Sequence, residues 1–145
     1  MTDELYDILI KPRQIKLRIA KLTLELEELR LSVLPGAIRY DKDRVQTSPD
    51  SDQMAQYMVR LEDREREIDK LRVALECAIN DISDLTDQID TKVLDQAALI
   101  ITYKWIRGFK FCDIQKEVGL SESTMFRQYN AAIEELDKLL KLDSK

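Results

Sequence analysis

The chain has 145 residues, the size of one domain, and 35% of them are charged, whereas only 3 are Gly and 3 are Pro. This composition excludes collagen-like, low-complexity and fully disordered proteins, and it favours long helices. No apolar run approaches the roughly 18 residues that span a bilayer, and the acidic start lacks the cationic opening of a signal peptide. We therefore expect a soluble cytoplasmic protein with no membrane partner.

The sequence contains few of the residues that catalysis or metal binding requires. The chain contains no His, which removes the most common general base and the most common metal ligand. It also has no Gly-rich phosphate loop and no nucleophile beside a base, so we predict a protein that is not an enzyme and has no catalytic residues, metal site or cofactor. Cys77 and Cys112 are too few for a zinc site or a disulfide framework, and we predict both as small core residues.

Charge and aromatic residues divide the chain near residue 91. Residues 1–91 carry 14 Lys+Arg and 20 Asp+Glu, whereas residues 92–145 carry 9 and 8. Six of the nine aromatic residues lie in the second part. Compact cores use large aromatic side chains, whereas a coiled coil needs only aliphatic ones. We therefore predict an all-α protein with an elongated helical region over residues 1–91 and a globular domain over residues 92–145.

The first region carries the pattern of a heptad helix. Apolar residues recur at spacings of 4, 3, 4, 3 and 4, at Ile15, Ile19, Leu22, Leu26, Leu29 and Val33. Because proline is welcome in the first turn of a helix, we predict that this helix begins near Pro12, after a short separate turn. It should end at Leu34-Pro35-Gly36. The pattern then vanishes, which predicts a loop over residues 35–51.

A second long helix is predicted from about Ser51 to Asp90, and the simplest packing is an antiparallel hairpin of the two helices. Because the second helix is longer, part of its apolar seam would lack an intrachain partner. Such a seam favours self-association, most simply as a dimer. The residues that we assign to oligomerisation are Leu71, Leu75, Ile82 and Leu85.

The second region has the pattern of a helix-turn-helix. A helix that closes at Gly108 is followed by a two-turn helix over residues 111–118, and the last helix begins at Glu122. Gly119 suits the positive φ of a tight turn between helices, and Ser121 is a good N-cap for the helix after it. A short helix, a turn of 3–4 residues that contains Gly and a second helix form the motif that enters the major groove of DNA.

Polar and basic side chains are predicted on the outer face of this motif. Arg, Asn and Ser hydrogen-bond to base edges and phosphates, and Lys104 and Arg107 add positive charge on a neighbouring segment. The inward set is Ile114, Val118, Leu120, Met125, Ala132, Ile133 and Leu136. The candidate DNA-binding residues are Lys110, Lys116, Ser121, Glu122, Ser123, Thr124, Phe126, Arg127 and Asn130.

These residues resemble a group of transcription factors. The match to region 4 of sigma-70-type factors lies in residues 103–108, 111–114, 119–127 and 132–136. The chain is more similar still to the ArpU/RinA-type late-gene transcriptional regulators of bacteriophages and mobile elements in Gram-positive bacteria, which it also resembles in the run 43–49. The resemblance implies double-stranded promoter DNA as partner and activation of structural or packaging genes in a bacterial host. Lys110 departs from the pattern, because a Ser or Thr usually caps the helix there.

One alternative is a helical adaptor or structural coiled coil whose C-terminal helices bind a protein, since helical hairpins with a Gly turn are common. A full sigma factor is disfavoured because residues 1–91 contain only Tyr6, Tyr40 and Tyr57, whereas promoter melting needs aromatics that trap unstacked bases. The net charge of −5 argues against binding of nucleic acid over the whole surface but allows a local basic patch. The operator, the sign of regulation and any contact with RNA polymerase are left open.

Overall fold

A computed structural model describes residues 1–32, 48–89 and 94–143, and all regular secondary structure in these ranges is helical. The predicted all-α class is therefore confirmed. No helix within these ranges combines the length and the apolar character that crossing a bilayer requires. The helices are α1 Asp3–Leu31, α2 Ser48–Thr86, α3 Ala97–Ile101, which runs directly into a π-helical turn over Thr102–Ile106, α4 Phe111–Val118 and α5 Glu122–Asp143.

The chain folds into two compact units. The first contains Met1–Gln14 and Leu75–Lys145, and the second contains Ile15–Ala74. This division differs from the predicted boundary near residue 91, because the start of α1 and the end of α2 share one core with the C-terminal helices. That core consists of Leu5, Leu9, Ile82, Leu85, Ile89, Leu94, Ala97, Ile101, Ala132, Ile133, Leu136 and Leu140.

The composition of this core corrects the predicted oligomerisation seam. Ile82 is fully buried and Leu85 is only 9% exposed, and both pack inside the first unit. Leu71 lies in the second unit and packs against the buried cluster of that unit. Leu75, the first residue of α2 in the first unit, is half-buried. The sequence pattern located the apolar face of α2 correctly, but the chain's own helices cover most of it. Ile82 and Leu85 therefore do not form an exposed seam, whereas the role of Leu71 and Leu75 stays a prediction.

The start of α1 differs from the prediction as well. One continuous helix runs from Asp3 to Leu31 with Pro12 inside it. Proline in a helix interior costs about 3 kcal/mol because it lacks a donor and crowds the preceding turn. Leu5 and Leu9, which are fully buried on the same face as the buried Pro12, each contribute about 1.5–3 kcal/mol. Burial of two leucines therefore offsets the cost of the proline, and no separate turn forms.

The second unit has a small aliphatic core. Leu22, Leu26 and Ile68 are buried there, with Ile19, Leu61 and Leu71 packed against them. Ion pairs between described residues connect α1 to α2 in this unit, among them Arg18 to Glu67 at 2.9 Å, Glu25 to Arg64 at 2.8 Å and Arg30 to Glu65 at 2.9 Å. Because these side chains are partly exposed, each ion pair is worth less than about 1 kcal/mol, and the apolar contacts dominate.

The predicted loop and the predicted burial of the cysteines also differ from the structure. The predicted loop over residues 35–51 is too long at its C-terminal end, because α2 already begins at Ser48 and accepts Pro49 in its first turn. The described residues do not include the expected end of α1 at residues 34–36 or the expected end of α2 at Asp90. Residues 43–47, which belong to the run that resembles the ArpU/RinA-type regulators, lie outside them as well. The prediction that Cys77 and Cys112 are core residues is wrong, since both are exposed.

Candidate nucleic-acid interface

The chain leaves α3 through a widened turn. The Arg107 N–H donates to the Thr102 carbonyl at 3.0 Å, five residues back, which is the π-helical pattern. Gly108 follows with φ of 73°, a left-handed conformation that residues with a Cβ rarely adopt. The Phe109 N–H then donates to the Tyr103 carbonyl at 2.9 Å. The predicted closure of the helix at Gly108 is confirmed.

Lys110 occupies the N-cap position of α4. Its backbone is extended, with φ −76° and ψ 155°, and its side chain forms no capping hydrogen bond. The carbonyl of Lys110 accepts hydrogen bonds from the N–H groups of Asp113 and Ile114, both at 3.0 Å. Asp113 in the first turn of α4 interacts favourably with the positive end of the helix dipole. The Lys110 ammonium is thus exposed beside a helix N-terminus and is not used to hold the helix.

The turn between α4 and α5 follows the predicted chemistry. Gly119 adopts φ of 69°, and its N–H donates to the Gln115 carbonyl at 3.0 Å. A Cβ at Gly119 would meet no atom within 4 Å, so the requirement for glycine is conformational. The Ser121 Oγ accepts the Thr124 N–H at 3.3 Å and donates to the Thr124 Oγ1 at 2.8 Å. The predicted N-cap at Ser121 is confirmed.

A small core holds α4 and α5 together. Ile100 and Ile114 are fully buried and Met125 is 1% exposed. The partly buried residues around them are Tyr103, Phe109, Phe111, Val118, Leu120, Phe126 and Tyr129. All the predicted inward residues of α4, the turn and α5 are buried or half-buried.

Phe126 was predicted on the outer face, and this orientation is wrong. Its ring lies 4.8 Å from the ring of Phe111 and is half-buried in the small core. Phe111 also contacts Tyr129, with ring centroids 5.2 Å apart. An aromatic ring gains more from this packing than from exposure to water, so a nearby ring draws the side chain inward.

Gln128 is a structural residue of the site that the sequence prediction omitted. Its Oε1 accepts the Gln96 N–H at 3.3 Å, and its Nε2 donates to Asp95 Oδ1 at 3.2 Å, which ties α5 to the start of α3. The side chain is 9% exposed. A polar residue within the apolar stripe between Met125 and Ala132 was the signal that could have identified it.

Tyr129 provides a second connection to the preceding segment. The Trp105 Nε1 donates to the Tyr129 hydroxyl at 3.2 Å. Burial raises the pKa of Tyr129, and the hydrogen bond from Trp105 offsets part of that increase. The phenol is therefore neutral at physiological pH and acts as a structural anchor for α5.

The exposed face over the first turns of α5 is polar. Ser123, Arg127 and Asn130 are spaced by four and three residues, so they lie on one side of the helix along about 10 Å. Glu122 is exposed in the first turn. Arg127 forms no ion pair with another residue in the described part of the chain. Its guanidinium is consequently available to a ligand.

Two cations of the segment before α4 lie over aromatic rings of the small core. The Lys104 Nζ lies 4.5 Å from the centroid of the Phe111 ring, and the Arg107 guanidinium lies 5.8 Å from that of Phe109. Cation–π contacts of this kind restrict the position of a charge without neutralising it. Lys116 is exposed and lines a shallow groove with Phe109, Asp113 and Glu117. The carboxylates of Asp113 and Glu117 reduce the positive potential around Lys116.

The structure thus sorts the candidate residues by accessibility. Ser121 is exposed but engaged in the cap, whereas Thr124 and Phe126 are half-buried. The freely exposed candidates are Lys110, Lys116, Glu122, Ser123, Arg127 and Asn130. No protein-family model, curated protein or solved structure matches the chain.

Proposed function

We propose that the chain is a sequence-specific DNA-binding transcription regulator. In this proposal α4, the turn at Gly119 and α5 act as a helix-turn-helix of the sigma-70 region 4 type, with α5 as the recognition helix. One observation supports the proposal most strongly. The two helices are joined by a turn at Gly119, α5 is capped by Ser121, and α5 exposes Ser123, Arg127 and Asn130 along one face. A stripe of about 10 Å suits the B-DNA major groove, which is about 12 Å wide.

Each exposed residue has a chemical role in this proposal. Arg127 would form a bidentate contact with guanine O6 and N7, and Asn130 with adenine N6 and N7. Glu122 would accept a hydrogen bond from cytosine N4. Ser123 would accept a hydrogen bond from a base or donate one to a phosphate. Lys110 and Lys116 would contact phosphates, with Lys104 and Arg107 adding positive charge beside them.

The chain's net charge of −5 makes this contact local. A protein that is negative overall is repelled by DNA except where basic residues are concentrated. The cations at positions 104, 107 and 110 supply that concentration on the segments that precede α5 in the chain, and Lys116 adds to it in part, since Asp113 and Glu117 lie in the same groove. We therefore propose binding through this one face, with no catalytic role.

The finer biological role rests on the resemblance to ArpU/RinA-type regulators. On that basis we propose activation of late genes of a phage or mobile element in the cytoplasm of a bacterial host. We also propose that α1 and α2 form an antiparallel helical hairpin. The ion pairs between the helices support it, because Arg18 pairs with Glu67, whereas Glu25 and Arg30 further along α1 pair with the earlier residues Arg64 and Glu65 of α2.

Selection from a random double-stranded DNA pool tests the function. We expect enrichment of one motif, followed by tighter binding of that duplex than of a scrambled duplex in fluorescence anisotropy. The logarithm of the binding constant should fall linearly with the logarithm of salt concentration. Absence of any enriched motif, together with weak binding that does not depend on salt, would contradict DNA binding and favour the helical adaptor.

A further inference from the structure

A second apolar stripe runs along α1. Leu17, Leu24 and Leu31 are 64%, 61% and 60% exposed, and each is seven residues from the next. Seven residues complete about two helical turns, so the three side chains lie on one face. We call these residues the outer leucine stripe.

The outer leucine stripe lies opposite the face of α1 that packs against α2. Leu24 is two residues from both Leu22 and Leu26, which are buried in the second unit. Two residues correspond to about 200° around the helix, so Leu24 points away from that core. Scattered surface leucines are ordinary, but a heptad stripe is typical of a helix with two partners.

Charges of opposite sign flank the centre of the stripe. Lys21 lies three residues before Leu24, and Glu27 and Glu28 lie three and four residues after it. All three are exposed, and none forms an ion pair with another described residue. The face is therefore basic on the N-terminal side of Leu24 and acidic on its C-terminal side. Two copies of the helix that run in opposite directions would bring the basic end of one beside the acidic end of the other.

We propose that the outer leucine stripe binds a second copy of this chain in antiparallel orientation, with the twofold axis at Leu24. Leu17 then packs against Leu31 of the second copy, and the two copies of Leu24 face each other. Lys21 lies beside Glu28 of the second copy, and by symmetry this ion pair forms twice. Flanking charges of this kind set the orientation of helices in coiled coils.

Parallel pairing in register is electrostatically unfavourable. It would bring Glu27 and Glu28 of both copies to the same level, so that four carboxylates would lie together. The seam from Leu17 to Leu31 is about 21 Å long, which is short for an interface. We therefore expect a dimer in the micromolar range. This surface replaces the one predicted at Ile82 and Leu85, and it is independent of the DNA-binding proposal.

Sedimentation equilibrium of the full chain tests the proposal. The mass should rise from 17.0 kDa towards twice that value across the micromolar range. Leu24→Glu places two carboxylates against each other on the twofold axis and should raise the dimer dissociation constant by about tenfold or more. Val73→Glu is the matched control, because Val73 is 63% exposed on α2 and lies outside the stripe. Circular dichroism should show equal helix content in both variants.

Disulfide trapping tests the orientation. In a Cys77→Ser/Cys112→Ser background, Leu17→Cys mixed with Leu31→Cys should form a disulfide between chains. Leu17→Cys alone should not, since its two copies would lie about 21 Å apart and a disulfide needs Cα atoms within about 7 Å. A monomer at all these concentrations, or a dimer that Leu24→Glu leaves intact, overturns the proposal. Efficient trapping by Leu17→Cys alone overturns the antiparallel arrangement.

Discussion

The Thr2 hydroxyl donates a hydrogen bond of 2.8 Å to the carboxylate of Asp137, and the Thr2 N–H donates to the same oxygen at 3.1 Å. The two residues are 135 positions apart in the chain, and their contact ties the start of α1 to α5. Burial alone would raise the pKa of Asp137, but the two hydrogen bonds from Thr2 and nearby positive charge hold it below its ordinary value of 3.8.

This depressed pKa predicts a pH dependence of stability. A carboxylate with a lowered folded-state pKa stabilises the fold above its unfolded-state pKa, and the contribution is lost as the pH falls through the folded-state value. Asp137→Asn should lower the free energy of unfolding by about 1 kcal/mol at neutral pH, and the difference from wild type should shrink below about pH 4. Urea unfolding at pH 7 and pH 3 measures both values. Asp143→Asn, an exposed change on the same helix, should have no such effect.

Removal of the cap at Ser121 should destabilise α5. Ser121→Ala leaves the Thr124 N–H without its acceptor, and we expect a loss of about 1 kcal/mol in the free energy of unfolding. Ser123→Ala, two residues later on the exposed face, should change stability by less than about 0.5 kcal/mol. Equal losses in chemical denaturation for both variants would show that the cap does not stabilise the helix.

Arg127→Ala should reduce specific DNA binding. Loss of a bidentate contact with guanine costs about 1–3 kcal/mol for the selected duplex and less for a scrambled one. If Arg127 instead lies outside the DNA contact, its removal should alter stability by less than about 1 kcal/mol and binding hardly at all. Binding isotherms on both duplexes distinguish these outcomes, and equal small losses on both would mean that α5 is not the recognition helix.

Lys110→Ala should weaken binding to all sequences alike. Loss of one phosphate contact lowers the slope of log binding constant against log salt concentration by about one. Lys116→Ala should lower the slope less, because Asp113 and Glu117 lie in the same groove and reduce its positive potential. Titrations at several salt concentrations measure the slopes. An unchanged slope for Lys110→Ala would place that residue outside the contact.

The amino-acid sequence alone determined the features that depend on local chemistry. The end of α4 follows from glycine at 119, because a residue without Cβ adopts positive φ easily, and the start of α5 follows from the cap at serine 121. The inward residues of α4 and α5 follow from helical periodicity, since one face of each short helix is apolar. These features require knowledge of only a few neighbouring residues.

The tertiary structure decided what covers each apolar face. Periodicity marks a face as apolar but does not say which helix covers it, so Ile82 and Leu85 were expected at an interface and lie in the chain's own core. The same core contains Leu5 and Leu9, and their burial stabilises α1 as one continuous helix that includes Pro12. Proline by itself disfavours the interior of a helix. Phe126 turns inward because the Phe111 ring, fifteen positions earlier, lies beside it. Each outcome depends on contacts between distant segments, whose burial energy exceeds the local preferences that a sequence displays.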